Sequence, residues 1–258
     1  MVGEQSGGVT AHAIAIDLAT QRLLTNDGLA EIQPGVDHGI IIRRLRKNAP
    51  EVSSSNQQPC DRRLLFVQIK QFLSEEKHKT ILAYCREQET AFVAAQVTGG
   101  PDGYRRAMTI KDDTFIQSYV LPEVSRVAPD AATVLYIREN LIFDHGSFEC
   151  RMTAHQDRGF FLVHSDNGSP GTAKRCLSFV YYFRAKKSSF YGGELRIYRS
   201  PFERRSTFFG DDYALVYPED NSIVFFPSSV AHEVLPTYVP SKLFHDSRFT
   251  VNGWIQSV

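Results

Sequence analysis

The chain has 258 residues, with 29 basic and 29 acidic side chains and a formal net charge of zero. This length is sufficient for one substantial domain with a buried core, and the charge balance gives no global field that would attract nucleic acid or an anionic membrane. No segment approaches the roughly 18–20 apolar residues that span a bilayer, and the start lacks a secretory leader. We therefore expect a cytoplasmic protein.

Residues 1–60 are predicted to form an N-terminal extension of unknown role. Short apolar segments at 13–16 and 39–42 alternate with polar and glycine-containing ones. The run at 53–59, rich in Ser, Asn and Gln, is typical of a loop or linker. We therefore place the domain boundary near residue 61 and expect residues 61–258 to form one domain.

Helical support for a sheet is predicted within residues 70–140. A short apolar strand at 64–67 leads into a helix with Ser74 as its N-cap, and acidic residues occupy its first turn. Residues with helical spacing supply an apolar stripe on this helix: Ile81, Leu82, Cys85 and Phe92.

A second helical region is predicted at 112–127. It contains Pro122, which lacks a backbone N–H and is expected to interrupt the helix. Another helix is predicted near 129–137. Together these helices would brace one face of a sheet.

The jelly-roll core is predicted at 145–258, because short strands alternate there with turns rich in Gly, Pro and Asn. The turn at 156–159 ends in glycine, which favours a hairpin between the strands beside it. The fold class is therefore mainly β with flanking helices, a double-stranded β-helix (jelly roll, cupin-like) with two facing antiparallel sheets. The predicted strands are 148–155, 160–164, 177–184, 194–198, 214–217, 222–226, 232–236 and 248–256.

His164, Asp166 and His232 are the candidate metal ligands. Two imidazoles and one carboxylate hold Fe(II) in non-haem oxygenases and leave coordination positions open for chemistry. We expect His164 and His232 to lie on facing strands at the open end of the barrel. A second His-x-Asp pair, His155 and Asp157, is a competitor, although Asp157 falls in the predicted turn and His155 could instead line the pocket.

Motifs occur around these residues in a fixed order: GFFLVHSDN at 159–167, RCLSFVYYF at 175–183, GGELRIY at 192–198, IVFFPS at 223–228, AHEV at 231–234 and RFTVNGWI at 248–255. This series resembles the prolyl 4-hydroxylase-like branch of the Fe(II)/2-oxoglutarate dioxygenases, which includes the hypoxia-sensing prolyl hydroxylases. The resemblance covers about residues 145–258, with a looser similarity back to about residue 64.

The resemblance implies a role for particular residues. It makes His164, Asp166 and His232 the iron ligands, with Fe(II), 2-oxoglutarate and O2 as cofactor and cosubstrates and ascorbate as a stimulant. Arg248 would pair with the distal carboxylate of 2-oxoglutarate, a task that suits a planar, permanently charged guanidinium. Tyr182 would hydrogen-bond the same carboxylate, and Leu195 would press against the cosubstrate.

The implied reaction is hydroxylation of an aliphatic C–H bond with release of succinate and CO2. Asp166 occupies a position that a halide would need, so hydroxylation is expected over halogenation, whereas desaturation or cyclisation stays open. The first expected substrate is a prolyl or other amino-acid residue, peptidyl or free. A small molecule or natural product is the alternative, and a non-catalytic jelly-roll binding module is the rival of a different class. No nucleic-acid or membrane partner is expected.

Trp254, the only tryptophan, is predicted to belong to the core rather than to a substrate platform. Arg175, Arg196 and Glu233 are predicted to form surface or scaffold pairs. The Gly192-Gly193 pair is predicted to be a turn that enters a strand.

Overall fold

The structure is a computed structural model that describes residues 65–95, 103–111, 114–185, 189–201 and 213–258, together with the backbone of four strands between residues 14 and 43. The predicted linker at 53–59 lies outside the described residues. Neither α-helix of the described part is long and apolar enough to cross a membrane.

The described residues form strands over most of the chain and two α-helices, α1 (Glu75–Glu87) and α2 (Thr114–Val134). The strands are β1 (Ile14–Asp17), β2 (Arg22–Thr25), β3 (Gly28–Pro34), β4 (Ile40–Arg43), β5 (Val67–Lys70), β6 (Val93–Ala94), β7 (Arg105–Arg106), β8 (Met108–Lys111), β9 (Glu149–His155), β10 (Phe160–His164), β11 (Arg175–Phe183), β12 (Tyr191–Gly192), β13 (Leu195–Pro201), β14 (Tyr213–Val216), β15 (Ser222–Pro227), β16 (Val230–Val234), β17 (Thr237–Tyr238) and β18 (Arg248–Gln256).

Two sheets of very different size face each other. The large sheet has the order β4-β3-β2-β1-β5-β15-β11-β18-β9-β8-β6, and the small sheet has the order β14-β13-β16-β10-β7. Side chains from the inner faces of both sheets pack together, including Tyr182 and Phe226 from the large sheet and Leu195 and Val216 from the small one. The predicted jelly roll with flanking helices is confirmed.

The helices cover the outer face of the large sheet. Because successive strand residues point to opposite faces, Tyr181 packs in the cluster that contains α1 and α2, whereas Tyr182 packs inside the barrel. A helix layer on one side and a second sheet on the other leave β11 and β18 almost completely buried. These two strands therefore form a rigid base for side chains inside the barrel.

The start of α1 is as predicted. Ser74 is the N-cap, and its hydroxyl accepts a hydrogen bond from the backbone N–H of Lys77. Ile81 and Cys85 are buried within the helix. Phe92 is buried as well, but it lies beyond the end of the helix. The preceding strand runs from Val67 to Lys70, so the predicted strand at 64–67 ends where the observed one begins.

The predicted break at Pro122 is wrong, because α2 runs without interruption from Thr114 to Val134 and contains both Pro122 and Pro129. Each proline removes one hydrogen bond to the preceding turn, at a cost of about 3 kcal/mol. Burial of one face of α2 offsets this cost, since a large apolar side chain contributes about 1.5–3 kcal/mol. The buried residues are Ile116, Val120, Leu121, Val124, Val127, Ala128, Ala131 and Ala132.

The hairpin predicted around residues 156–159 is also wrong. β9 pairs with β8 and β18 in the large sheet, whereas β10 pairs with β7 and β16 in the small sheet. The turn thus carries the chain from one sheet to the other. Gly159 is required there, because a Cβ would lie 2.9 Å from the carbonyl oxygen of Gln156.

Most other strand bounds agree with the sequence pattern, and β10 and β18 begin and end where predicted. The strand predicted at 232–236 is shifted by two residues, since β16 spans Val230–Val234. Pro236 explains the early end, because it has no backbone N–H for a sheet.

Four strands from the first 43 residues extend the large sheet. β1 pairs in parallel with β5, and β2, β3 and β4 follow as antiparallel neighbours. The N-terminal part therefore continues the sheet of the jelly roll. The boundary near residue 61 stays a prediction.

Gly253→Ala is expected to lower the free energy of unfolding by about 1–3 kcal/mol, the usual range for overpacking a core. An added Cβ would lie 2.2 Å from Cζ of Phe179 and 2.6 Å from the carbonyl oxygen of Glu149. Urea denaturation measures the effect. Gly171→Ala is the matched control, because no atom lies within 4 Å of its added Cβ; equal stability changes in the two variants would contradict the prediction.

Candidate metal centre

Three potential metal ligands converge at one end of the barrel. One ligand atom from each of His164, Asp166 and His232 lies within 4.8 Å of the others. Nε2 of His232 is 3.5 Å from Oδ2 of Asp166, and Nε2 of His164 is 3.8 Å from Oδ1. The three residues predicted as ligands are therefore brought together by the fold.

The two histidines lie on neighbouring strands and not on facing ones, so that expectation is wrong. His164 of β10 and His232 of β16 are Cα partners in the small sheet. Partners in an antiparallel pair have their side chains about 4.5–5.5 Å apart on the same face, and the two imidazole centroids are 4.2 Å apart. Register within one sheet therefore sets their spacing.

Both imidazoles turn Nε2 toward Asp166, because Nδ1 of each ring contacts the backbone. Nδ1 of His164 donates to the carbonyl oxygen of Leu162 at 2.8 Å, and Nδ1 of His232 donates to that of Val230 at 3.0 Å. A carbonyl oxygen only accepts, so Nδ1 carries the proton and Nε2 of a neutral ring keeps its lone pair. Burial, reinforced by His232, lowers the pKa of His164 to about 3, which keeps that ring neutral.

Asp166 is held as a carboxylate. Burial acts to raise its pKa, but the neighbouring histidines and hydrogen bonds from Ser178 and Trp254 hold the pKa below its ordinary value. Ser178 donates to Oδ2 at 2.7 Å. The backbone N–H of Asp166 donates to the carbonyl oxygen of Ser228 at 2.9 Å. The carboxylate is thus oriented by groups outside the ligand set, as is common around protein-bound metals.

A fully buried arginine lies deeper in the barrel. Arg248 opens β18, and its Nη1 is 3.2 Å from Nδ1 of His155 on β9. Its guanidinium carbon is 5.1 Å from the ring centroid of Tyr182. Gly193 leaves the room for it, because a Cβ there would lie 2.5 Å from Cδ of Arg248.

Three polar atoms around Arg248 are buried without a hydrogen-bond partner among the described residues: Nε of Arg248, Nε2 of His155 and Oγ1 of Thr250. The hydroxyl of Tyr182 is buried beside Arg248 and interacts with it. Burial, with the charges of Arg248 and Arg105, holds the pKa of His155 well below its usual value. His155 is therefore neutral, and because its Nδ1 accepts from Arg248, its Nε2 carries the proton.

These groups match an anionic ligand that only accepts hydrogen bonds. Burial raises the pKa of Tyr182 to about 12 despite the nearby charge of Arg248, so its hydroxyl keeps the proton and can donate. An unpaired buried donor costs about 1–3 kcal/mol, and a carboxylate offers about four acceptor positions. A carboxylate group can accept hydrogen bonds from such donors.

The other predicted site residues line the same cavity. Tyr182, Leu195 and Arg248 line it together with the three candidate ligands. His155 also lines the cavity. Asp157 does not line it, and the carboxylate of Asp157 accepts a hydrogen bond from the backbone N–H of Val239. The competing His155–Asp157 pair is not brought together as a metal site among the described residues.

Trp254 is buried, as predicted for a core residue. It also lines the cavity and interacts with Asp166. Arg175 is a scaffold residue as predicted, since it pairs with Glu149 and stacks at 3.9 Å from the centroid of Trp254. Arg196 and Glu233, predicted to form surface or scaffold pairs, form an ion pair with each other at 2.9 Å.

Sequence reasoning missed three polar residues of the cavity, Arg105, Arg151 and Asn252, and also Ser178, which donates to Asp166. Strand alternation could have found two of the cavity residues. If Arg248 and His155 point inward, then Asn252 and Arg151, four residues away on the same strands, point inward as well. Arg105 sits on a strand of only two residues and gives no such signal.

A jelly roll with two histidines and a carboxylate beside a buried cavity is typical of non-haem Fe(II) oxygenases. Residues 150–256 match the family model of the 2OG-Fe(II) oxygenase superfamily. This match confirms the resemblance found in the sequence, and it supports an oxidoreductase.

Relatives agree with this assignment. An uncharacterized PKHD-type hydroxylase of Synechocystis sp. is 29% identical over 83% of this chain and 73% of its own length. A Pseudomonas putida prolyl-4-hydroxylase has a TM-score of 0.53 at 21% identity, covering 75% of this chain and 93% of its own. A Trichoplax adhaerens prolyl hydroxylase, solved with a peptide of a hypoxia-inducible factor, has a TM-score of 0.53 at 18% identity, covering 75% of this chain and 84% of its own. At these identities, the likeness to the two solved structures concerns the fold.

Proposed function

We propose that this protein hydroxylates an aliphatic C–H bond with Fe(II), 2-oxoglutarate and O2, and releases succinate and CO2. The first proposed substrate is a prolyl or other amino-acid residue, peptidyl or free. One observation carries the proposal: a buried set of unpaired donors around Arg248 shares a cavity with a complete His-Asp-His ligand set. The first matches a cosubstrate carboxylate and the second matches Fe(II).

In this proposal His164, Asp166 and His232 hold Fe(II). Their donor set suits the ion, because two neutral imidazoles and one carboxylate leave it redox-active with open coordination positions. Nδ1 of each ring makes the backbone contact, so Nε2 is the nitrogen available to the metal. Hydrogen bonds from Ser178 and Trp254 orient the carboxylate of Asp166.

Arg248 and Tyr182 bind the distal carboxylate of 2-oxoglutarate, and Leu195 packs against its carbon chain. Burial lowers the pKa of Arg248, but an arginine keeps its charge at physiological pH. Its fork geometry allows two parallel hydrogen bonds to one carboxylate. His155 and Thr250 offer further donors beside it.

When bound, Fe(II) and 2-oxoglutarate supply the oxidising chemistry, in which O2 gives one oxygen atom to succinate and one to the substrate. The chain orients both and excludes water. Val180, Phe226 and Val234 line the cavity with apolar surface, and such walls suppress side reactions of a reactive centre. Phe161 stacks on the ring of His164 at 3.6 Å between centroids, which limits rotation of that ligand.

A small-molecule or natural-product substrate, with hydroxylation, desaturation or cyclisation, is the alternative. The peptide bound by the Trichoplax relative favours a peptidyl substrate, but fold alone does not fix the substrate. The complete ligand set and buried anchor disfavour a non-catalytic binding module. The cytoplasmic location and the stimulation by ascorbate remain part of the proposal.

The test is a succinate assay. Anaerobically purified protein is supplied with Fe(II), 2-oxoglutarate, ascorbate and O2, and then with prolyl peptides, free amino acids or small carboxylic acids. Succinate formation that requires Fe(II) and rises with one of these compounds supports the proposal. Absence of any Fe(II)-dependent decarboxylation in folded, metal-loaded protein contradicts it.

Asp166 tests the reaction type. We expect the native protein to transfer oxygen and ignore halide, and Asp166→Gly to lose most hydroxylation, because the variant loses one charged ligand of the metal. Asp166→Glu is also expected to be impaired, since an added methylene displaces the carboxylate by about an ångström and a shift of that size can cost about 100-fold in rate.

Product mass under 18O2, with and without chloride, measures this outcome. Asp157→Asn is the matched control, because Asp157 lies outside the cavity lining and the amide oxygen can still accept from Val239. A native product that contains chlorine, or one lighter by two hydrogens with no new oxygen, would overturn hydroxylation and leave the metal site intact.

A further inference from the structure

Two further arginines line the cavity, and the proposed reaction uses neither of them. Arg105 belongs to β7 of the small sheet and Arg151 to β9 of the large sheet. Arg248 is the Cα partner of His155 on β9, whereas Arg151 lies four residues earlier on that strand. At about 3.4 Å per residue, the Cα atom of Arg151 lies about 14 Å from that of His155.

Neither arginine has a carboxylate partner among the described residues. Nη2 of Arg105 makes one long contact, 3.4 Å to Oγ1 of Thr153, and its Nε is buried without a partner. The guanidinium carbon of Arg105 lies 4.8 Å from the centroid of Phe161, and that of Arg151 lies 5.3 Å from the centroid of Trp254. Aromatic faces therefore support the two guanidinium groups and leave their donors available.

Glu149, the acidic residue on the same strand as Arg151, is already hydrogen-bonded to other side chains. Glu149 binds the guanidinium of Arg175 through both carboxylate oxygens and accepts from Gln256 at 2.7 Å. Arg175 is thus a paired arginine in the same neighbourhood. The contrast with Arg105 and Arg151 indicates that these two are not needed for an internal ion pair.

The balance of charge in the cavity also leaves Arg105 and Arg151 without an anionic partner. Among the described residues that line it, Asp166 is the one carboxylate. With Fe(II) and 2-oxoglutarate bound, the charges of the metal and of Arg248 are matched by Asp166 and the two carboxylates of the cosubstrate. Arg105 and Arg151 then remain as two unbalanced cations. Burial, together with the charge of Arg151, lowers the pKa of Arg105 to about 10, and the charge of Asp166 offsets this only in part.

We propose that Arg105 and Arg151 together bind a carboxylate of the primary substrate and hold its reactive C–H bond beside the metal site. This inference rests on the proposed function and narrows its substrate class to amino acids, other carboxylic acids, or peptides that present a carboxylate near the hydroxylated residue. Arginine forks suit this role because they bind carboxylates bidentately. The contact of Arg151 with Trp254, which itself interacts with Asp166, brings the bound anion close to the metal ligands.

Trp254 supplies a direct readout, because it is the only tryptophan of the chain. Its fluorescence is followed in protein loaded with Zn(II) as a redox-inert substitute and with 2-oxoglutarate. N-acetyl-L-proline and N-acetyl-L-prolinamide are compared, since they differ only in the carboxylate. L-proline, L-leucine and propionate test free acids, and a prolyl peptide with a free or an amidated C-terminus tests a peptide source.

Carboxylate compounds are expected to give a saturable change that their amides do not give. Arg105→Met and Arg151→Met are each expected to weaken that binding by at least about tenfold. Arg106→Met is the matched control: it removes the same charge from the same strand, but Arg106 is exposed and does not line the cavity. Its carboxylate affinity and thermal unfolding are expected to be those of the native protein.

Equal binding of acid and amide, no saturation by any carboxylate, or unchanged affinity in both cavity variants would overturn the inference. An equal loss of 2-oxoglutarate affinity in Arg151→Met and Arg248→Ala would also overturn it, because the pair would then hold the cosubstrate. Fe(II)-dependent succinate formation by the native protein is measured separately, so a failure of the proposed function is distinguished from a failure of this inference.

Discussion

Alanine at His164 or at His232 is expected to abolish Fe(II)-dependent succinate formation while the fold survives. Each substitution removes one of three ligands and leaves two protein contacts to the metal, too few to fix its open face. The fold should tolerate the change, because each imidazole makes one backbone contact, to Leu162 or Val230, within its own strand. Metal content, the succinate assay and circular dichroism measure the three consequences.

Two other histidines serve as controls. His145→Ala is expected to retain native turnover, because His145 is exposed and does not line the cavity. His155→Ala is expected to retain measurable turnover and metal, although it removes a donor beside Arg248. Loss of metal in His155→Ala with retention in His164→Ala would show that the wrong His-x-Asp pair had been chosen.

Local pattern predicted the strands well because alternation and turn residues act within a few positions. β10 and β18 have the predicted bounds, and the opposite orientation of Tyr181 and Tyr182 follows from the pleat alone. Strand partners could not be predicted from local pattern, because they depend on contacts between residues that are distant in the sequence. The supposed hairpin at 156–159 therefore proved to be a crossing between sheets, and His164 and His232 proved to be neighbours in one sheet.

Propensity failed where burial outweighed it. Pro122 lies within α2 because a long buried face stabilises the helix on both sides of it. Trp254 is buried as predicted, and its place on β18, six residues after Arg248, also puts it on the inward face that lines the cavity. Arg105 could not be found from the sequence, because only the pairing of β7 with β10 brings it to the cavity.

Arg248→Ala is expected to weaken 2-oxoglutarate binding by about 2–5 kcal/mol, the range for truncating one member of a buried charge pair. The metal should still bind, since Arg248 contacts His155 and Tyr182 and none of the candidate ligands. Titration of the Zn(II)-loaded protein with 2-oxoglutarate measures the loss. Arg196→Ala is the matched control, because that arginine pairs with Glu233 away from the cavity lining.

Smaller changes at the same anchor separate charge from geometry. Arg248→Lys keeps the charge but loses the planar fork, so its affinity should fall between those of the native protein and of Arg248→Ala. Tyr182→Phe removes one donor and should cost about 0.5–1.5 kcal/mol. If Arg248→Ala bound 2-oxoglutarate as tightly as the native protein, the unpaired donors around Arg248 would serve another ligand, and the cosubstrate carboxylate would have to lie at Arg105 and Arg151 instead.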